Sequence, residues 1–359
     1  MAGIETEPTW RELILVFIVV IGLIGGVALF MIARARLRQA RVRQEKLRNK
    51  LHRTNRSVPP VADVLPALLA RRRSGLPPMS SRDEAIERER DFANRSSAYR
   101  ENTKIRPDDV LVTSDNIALW LPAECRNEKI KMPWSVIQQV RMLVVGGTML
   151  DIGANVGQTS LPRALLGDFA AIYAAEPSPE NYARLRASII ANGLSGVVLP
   201  DRIAIGSKDG TLRLGESFYR SFTAAIAADD EKTFTVPCLT LDHWLETIGV
   251  EADEVSFVKT DTNGFELEVL RGAAHLISKR LAVWQIEVAP SYMRRIDVSM
   301  DMLGDELQTG FTHFIDMSAR APGQIVRPIG EFAEAMGYLD MIDISAGGKQ
   351  QTDILCFNA

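Results

Sequence analysis

The sequence predicts an α/β protein whose sheet is mostly parallel and covered by helices on both faces. Three observations carry this. From about residue 148 onward, short apolar runs alternate with helical patterns, as in repeated strand–helix–strand units. One run, Met149-Leu150-Asp151-Ile152, enters a tight turn holding Gly153 and Gly157, and a helix-like segment follows at 158–166. Strand, glycine turn and helix is how such a chain brings its backbone to a ligand. Acidic residues also recur where successive runs end, at Asp151, Glu176, Asp201, Asp261 and Glu287. Buried strands are ordinarily apolar, so the recurrence points to a ligand cleft at the carboxyl ends of the strands.

The chain divides by charge. Residues 1–100 hold 19 Lys/Arg against 10 Asp/Glu, and the rest holds 23 against 35. An acidic globular part is a poor partner for nucleic acid, which is bound through lysines and arginines that displace counterions. The basic part reads as membrane-associated. Residues 13–32 carry no charge and as a helix would cover about 30 Å, the thickness of a bilayer core. Residues 34–56 then hold ten Lys/Arg and one acid, Glu45. The positive-inside rule therefore leaves residues 1–12 as an extracytoplasmic tail and puts everything after Ile32 in the cytoplasm. Gly22 and Gly26 form a small-x-x-x-small pair through which two such helices could dimerise. Residues 33–95, with Pro59-Pro60, Pro77-Pro78 and the charged run 82–91, read as a basic juxtamembrane segment and a flexible linker with at most one short helix.

A globular domain is expected over 96–359. Residues 110–113 and 117–121 alternate around Ser114-Asp115-Asn116, a hairpin pattern. Pro133 opens a helix to about 143, and Gly146-Gly147 turns the chain into the strand before the glycine turn. Residues 171–175 form a buried strand ending at Glu176-Pro177-Ser178-Pro179. Ser178 caps and Pro179 opens a helix that Asn192-Gly193 closes. Strands follow at 197–199 and 255–259, with short outlying strands at 211–214 and 234–237. Helices are expected at 241–248, 265–277 and 302–309, and further strands at 282–288, 312–317 and 353–358. Cys125, Cys238 and Cys356 form no C-x-x-C pair and suit a reducing compartment. The four histidines show no metal-ligand spacing, so no metal site is expected.

Asp151 selects the ligand. A carboxylate at the entrance of the turn would repel the pyrophosphate of a dinucleotide but attract an amino group or a sulfonium centre, which points to S-adenosylmethionine. Glu176, at the tip of the next strand, is placed to accept both hydroxyls of a ribose. Lys259 and Asp261 point to the same side of their strand, about 7 Å apart along the chain. Lys259 could hold a substrate anion, act as a base if burial lowers its pKa, or form a salt bridge with Asp261 that shapes the loop.

Over roughly residues 130–359 the sequence resembles the FkbM family of S-adenosylmethionine-dependent methyltransferases. The resemblance rests on Leu150-Asp151-Ile152-Gly153-Ala154-Asn155-Val156-Gly157, on Glu176-Pro177-Ser178-Pro179-Glu180-Asn181, and on Lys259-Thr260-Asp261-Thr262-Asn263-Gly264-Phe265-Glu266 running into Leu267–Ala273. It implies a Rossmann-like, seven-stranded sheet with an antiparallel last strand, and methyl transfer to a hydroxyl of a glycan, lipid-linked sugar or secondary metabolite without a required metal. It implies that Asp151, Gly153, Asn155 and Gly157 line the methionine part of the cofactor, that Glu176 takes the ribose, and that Asp201 sits by the adenine. Lys259, Asp261 and Glu266 would face the transfer site, with Lys259 or Glu266 as base. The family's loop usually reads Asp-x-Glu-Gly, and here Asn263 stands at the Glu position. An amide cannot deprotonate an acceptor, so a membrane-tethered binding or scaffold protein is the alternative. A nicotinamide-dependent oxidoreductase is disfavoured by Asp151 and by the absence of G-x-G-x-x-G spacing.

Overall fold

The computed structural model describes residues 82–99, 103–114, 117–127, 133–216, 224–226, 233–318, 325–345 and 350–359. The expected membrane helix at 13–32 and basic segment at 33–81 lie outside the described residues. Among the described residues, no helix is long and apolar enough to cross a membrane.

The described chain starts with α1 (Arg82–Arg95), the hairpin β1 (Val110–Ser114) and β2 (Ile117–Leu121), α2 (Trp134–Leu143) and β3 (Thr148–Ile152). The glycine turn leads to α3 (Ser160–Leu165), β4 (Ala171–Ala175), α4 (Pro179–Ala191) and β5 (Val198–Asp201). Four outlying strands follow: β6 (Ala204–Ile205), β7 (Gly210–Glu216), β8 (Ala224–Ile226) and β9 (Thr233–Leu239). Next come α5 (Leu241–Ile248), β10 (Val255–Thr260), α6 (Glu266–Arg271), α7 (Ala274–Ser278), β11 (Val283–Val288), α8 (Pro290–Arg295) and α9 (Met300–Gly310). The chain ends on β12 (His313–Asp316), β13 (Arg327–Pro328), α10 (Phe332–Ser345) and β14 (Thr352–Phe357).

The main sheet runs β13-β12-β14-β11-β10-β3-β4-β5. Strands β11, β10, β3, β4 and β5 are parallel, and β14 pairs antiparallel with both β11 and β12. This is the expected Rossmann-like order with an antiparallel last strand, extended by the two-residue β13. Its strands are buried on both faces, and alternate residues feed different cores. Leu150 and Ile152 pack with Trp244, Leu307 and Phe332 on one side; Met149 and Phe257 pack with Leu119, Ile137 and Leu161 on the other. The order reverses between β3 and β10, which opens a crevice where their carboxyl ends diverge. The outlying strands pair as a separate sheet, β6-β9-β7-β8.

Local chemistry sets the helix ends. The Ser178 hydroxyl accepts from Asn181 N at 3.4 Å, with Pro179 in the first turn of α4. Thr240 caps α5 by accepting from His243 N, and Gly249 ends it in the left-handed region. The single helix expected at 265–277 is two, α6 and α7. Asp242 divides them: its N–H takes the Gly272 carbonyl at 3.1 Å, and its carboxylate accepts from His275 N and Leu276 N at 2.7 and 3.0 Å. The N-terminal boundary also moves. Residues 82–95, placed in a linker that allowed one short helix, form that helix, but it is docked on the domain rather than part of a tether. Phe92 is buried edge-on against Tyr173, and the Arg88 guanidinium donates to the Ala170 and Gly196 carbonyls. Helices α8 and α10 had no counterpart in the sequence reading.

Candidate functional site

A cleft of about 1070 Å³, counted to its open mouth, lies over the β3/β10 divergence. Its lining includes Ile152–Asn155, Glu176, Lys259, Asp261–Asn263 and Phe265 from the main sheet's loops. Ile203, Ile205, Leu212 and Leu214 add an apolar wall from β5–β7, and α8 supplies Tyr292, Arg295 and Ile296. Of the residues singled out by sequence, Gly153, Asn155, Glu176, Lys259 and Asp261 line this cleft. Asp151, Gly157, Asp201 and Glu266 stand behind the lining.

The glycine turn is held closed by its own hydrogen bonds. Gly153 N and Ala154 N donate to the Ala175 carbonyl at 2.9 and 3.1 Å, and Gly157 N donates to the Ala154 carbonyl. Asn155 N donates to Glu176 at 2.7 Å. A pyrophosphate cradle needs such N–H groups turned toward the ligand; here these four are engaged within the protein. Gly153 has φ +79°, and a Cβ on it would overlap the Asp261 carbonyl oxygen. Its role is to let the β3 and β10 loops touch.

Glu176 bridges two loops. Its carboxylate accepts from Asn155 N and, at 2.8 Å, from Ser178 N. Burial raises its pKa to about 7, against the partial relief of those two bonds. Each carboxylate oxygen has a second lone pair, so Glu176 can still accept from a ligand in the cleft.

Asp151 is fully buried. Its carboxylate accepts the Ser160 hydroxyl proton, and its other oxygen lies 3.7 Å from Lys259 Nζ. Burial raises the Asp151 pKa, with the Lys259 cation opposing. Lys259 pairs with Asp261 at 3.0 Å, which realises the salt-bridge reading. Burial by itself would lower the Lys259 pKa, but the carboxylates of Asp261, Asp151 and Asp353 reverse this and raise it. Lys259 is thus held as a cation, which removes the condition under which it could serve as a base. Asp261 is 40% exposed and faces the cleft.

Glu266 turns away from the cleft and locks the loop. It accepts from Thr262 N at 2.7 Å and from the Thr262 hydroxyl at 2.9 Å; burial raises its pKa to about 7. Asp201 likewise points inward, accepting from Trp244 Nε1 at 2.9 Å and Ser96 Oγ at 3.1 Å, while its backbone carbonyl receives Glu176 N. Asn263 lines the cleft with φ +56°, a left-handed conformation that asparagine tolerates better than most residues. The strand expected at 211–214 is present, but its place as a wall of the cleft, and α8 altogether, were missed by sequence reasoning: pairing across the cleft leaves no local periodicity, and α8 is too short to announce itself.

The strand order defines a Rossmann-like protein with an acid-lined crevice where that order reverses. Residues 151–317 match the methyltransferase FkbM domain. Hexuronic acid methyltransferase AglP from Haloferax volcanii is 28% identical over 130 residues, 35% of this chain and 50% of that protein; the match thus spans about half the length of this relative. Among solved structures, methyltransferase FkbM from Methylobacillus flagellatus aligns with 14% identity and a TM-score of 0.38, covering 83% of this chain and 60% of the other. TYW2 from M. jannaschii, in complex with AdoMet, aligns with 14% identity and a TM-score of 0.32, over 70% of this chain and 86% of its own.

Proposed function

We propose that this chain is a membrane-anchored, S-adenosylmethionine-dependent methyltransferase that acts on a hydroxyl of a glycan, lipid-linked sugar or secondary metabolite. The observation that carries the reading is the charge of the cleft: Asp151, Glu176 and Asp261 gather around one cation, Lys259. That excess of acid suits a donor bearing a sulfonium and an ammonium group, and the wall of Ile203, Ile205, Leu212 and Leu214 suits an adenine ring. When bound, the donor supplies an activated methyl group for in-line displacement, for which alignment is the main requirement.

Glu176 accepts the ribose hydroxyls, and the turn from Gly153 to Asn155 borders the methionine end. Asp201 acts from behind, fixing the Glu176 backbone rather than meeting the adenine. Lys259 remains protonated and orients Asp261. Asp261 faces the cleft beside Asn263 and accepts the proton of the acceptor hydroxyl. Glu266 holds the loop's shape through Thr262. AglP, whose name states action on a hexuronic acid, supports a sugar-like acceptor. The anchor rests on the uncharged segment 13–32 and the basic residues after it.

The test is methyl transfer from labelled donor to membrane extract by the full chain. Asp261→Asn should lower turnover by about a hundredfold or more, as expected for loss of a general base, while donor affinity stays within a few-fold. Lys259→Ala and Glu266→Ala each leaving turnover within about threefold would remove both from the machinery. Asn263 favours one other reading, a scaffold that keeps the donor site. Tight donor binding with no methyl transfer to any extract would establish it.

A further inference from the structure

Helix α8 brings a cation to the cleft that the donor reading leaves unused. Its position is fixed from two sides. Gly264 has φ +100°, and a Cβ there would come within 2.6 Å of the Tyr292 carbonyl carbon, so the helix sits directly on the Asn263–Gly264 turn. From the other side, Arg294 pairs with Asp340 and Asp343 of α10. Arg295, the next residue, lines the cleft and forms no ion pair among the described residues. By contrast, Arg141, Arg163, Arg184, Arg271 and Arg327 each engage a carboxylate. The Arg295 guanidinium lies over the Tyr292 ring, 5.1 Å from its centroid. A stacked guanidinium is held in plane while its N–H edge stays available, a geometry matched to carboxylate or phosphate. Lys259 cannot fill this role, because Asp261 and Asp151 already compensate it.

We infer that the methyl acceptor is an anionic saccharide whose carboxylate or phosphate is held by Arg295 on its Tyr292 platform, next to the Asp261–Asn263 loop. The inference rests on the methyltransferase reading and adds the acceptor's charge to it. The cleft then has two electrostatic halves: acids for a cationic donor, and one arginine for an anionic acceptor. Because Arg295 is exposed, its attraction is weakened by salt.

The experiment is calorimetric titration of the full chain in nanodiscs, loaded with S-adenosylhomocysteine, with a glucuronate-terminated oligosaccharide, the matching sugar phosphate and the neutral parent. Both anions, or one of them, should bind more tightly than the neutral sugar, and the stronger one identifies the source of the charge. Arg295→Ala should weaken the preferred anion about tenfold, the loss expected for one charge-assisted contact, and leave S-adenosylhomocysteine affinity unchanged. Arg295→Lys should recover part of it, since the charge remains and the fork is lost. Equal binding of neutral and anionic sugars, an unaltered preference in Arg295→Ala, or no saccharide binding by the loaded chain would overturn the inference while sparing the donor reading. Failure of S-adenosylhomocysteine to bind would overturn both.

Discussion

Glu176 joins three functions in one carboxylate: it closes the glycine turn through Asn155, starts the α4 loop through Ser178, and faces the cleft. Its pKa, raised to about 7 by burial, ties those functions to pH. Glu266 is also raised to about 7 and Asp353 to about 6. An acid whose folded pKa exceeds its unfolded value holds its proton more tightly when folded, so its stabilising contribution is complete below the unfolded pKa and is lost as pH rises through the folded one. The donor-free protein should therefore lose stability between about pH 5 and about pH 7, read as a falling melting temperature. Donor affinity should move the opposite way, because a ribose diol is best accepted by the ionised form. Glu176→Gln should flatten the affinity profile; a profile that keeps its rise would assign the titration to another group. The sequence showed Glu176 by its place after a strand, but not that both its oxygens already serve the fold.

Among the elements, α1 changes the outline of the domain most. Its sequence is a charged run, and periodicity hid it because a single large apolar side chain, Phe92, carries the contact. The rest of the docking is polar: Arg88 reaches two backbone carbonyls, and Ser96, just past the helix, donates to Asp201. Phe92→Ala should cost about 3 kcal/mol, the usual scale for a buried phenyl, measured by urea denaturation. A chain starting at residue 97 should melt below one starting at 82 and bind the donor more weakly, because Asp201 loses Ser96 while its carbonyl still carries Glu176. Equal melting temperatures would return α1 to the linker. The split of 265–277 has a similar cause. The local pattern supports one helix, and Asp242, more than twenty residues earlier, interrupts it.

For the whole molecule, the charge asymmetry between residues 1–100 and the remainder predicts membrane attachment independent of the cleft. Deleting residues 13–32 should move the protein from the membrane pellet to the supernatant, while donor binding in detergent stays unchanged. Retention in the pellet after a high-salt wash would point to another anchor. The sequence by itself determined the alternation of strands and helices, the acids at the strand ends and the motifs that match the FkbM domain over residues 151–317, because each depends on residues close in the chain. Asp151, Glu176 and Lys259–Asp261 were legible for that reason. Tertiary structure alone decided which of these residues line the cleft. The parallel sheet sets β3 beside β10 although more than a hundred residues separate them, so Lys259 finds Asp151 as well as Asp261. Packing turned Asp201 toward Trp244 and Glu266 toward Thr262. It also placed α8 and Arg295 against a turn that only Gly264 could accommodate, a long-range contact that no local pattern encodes.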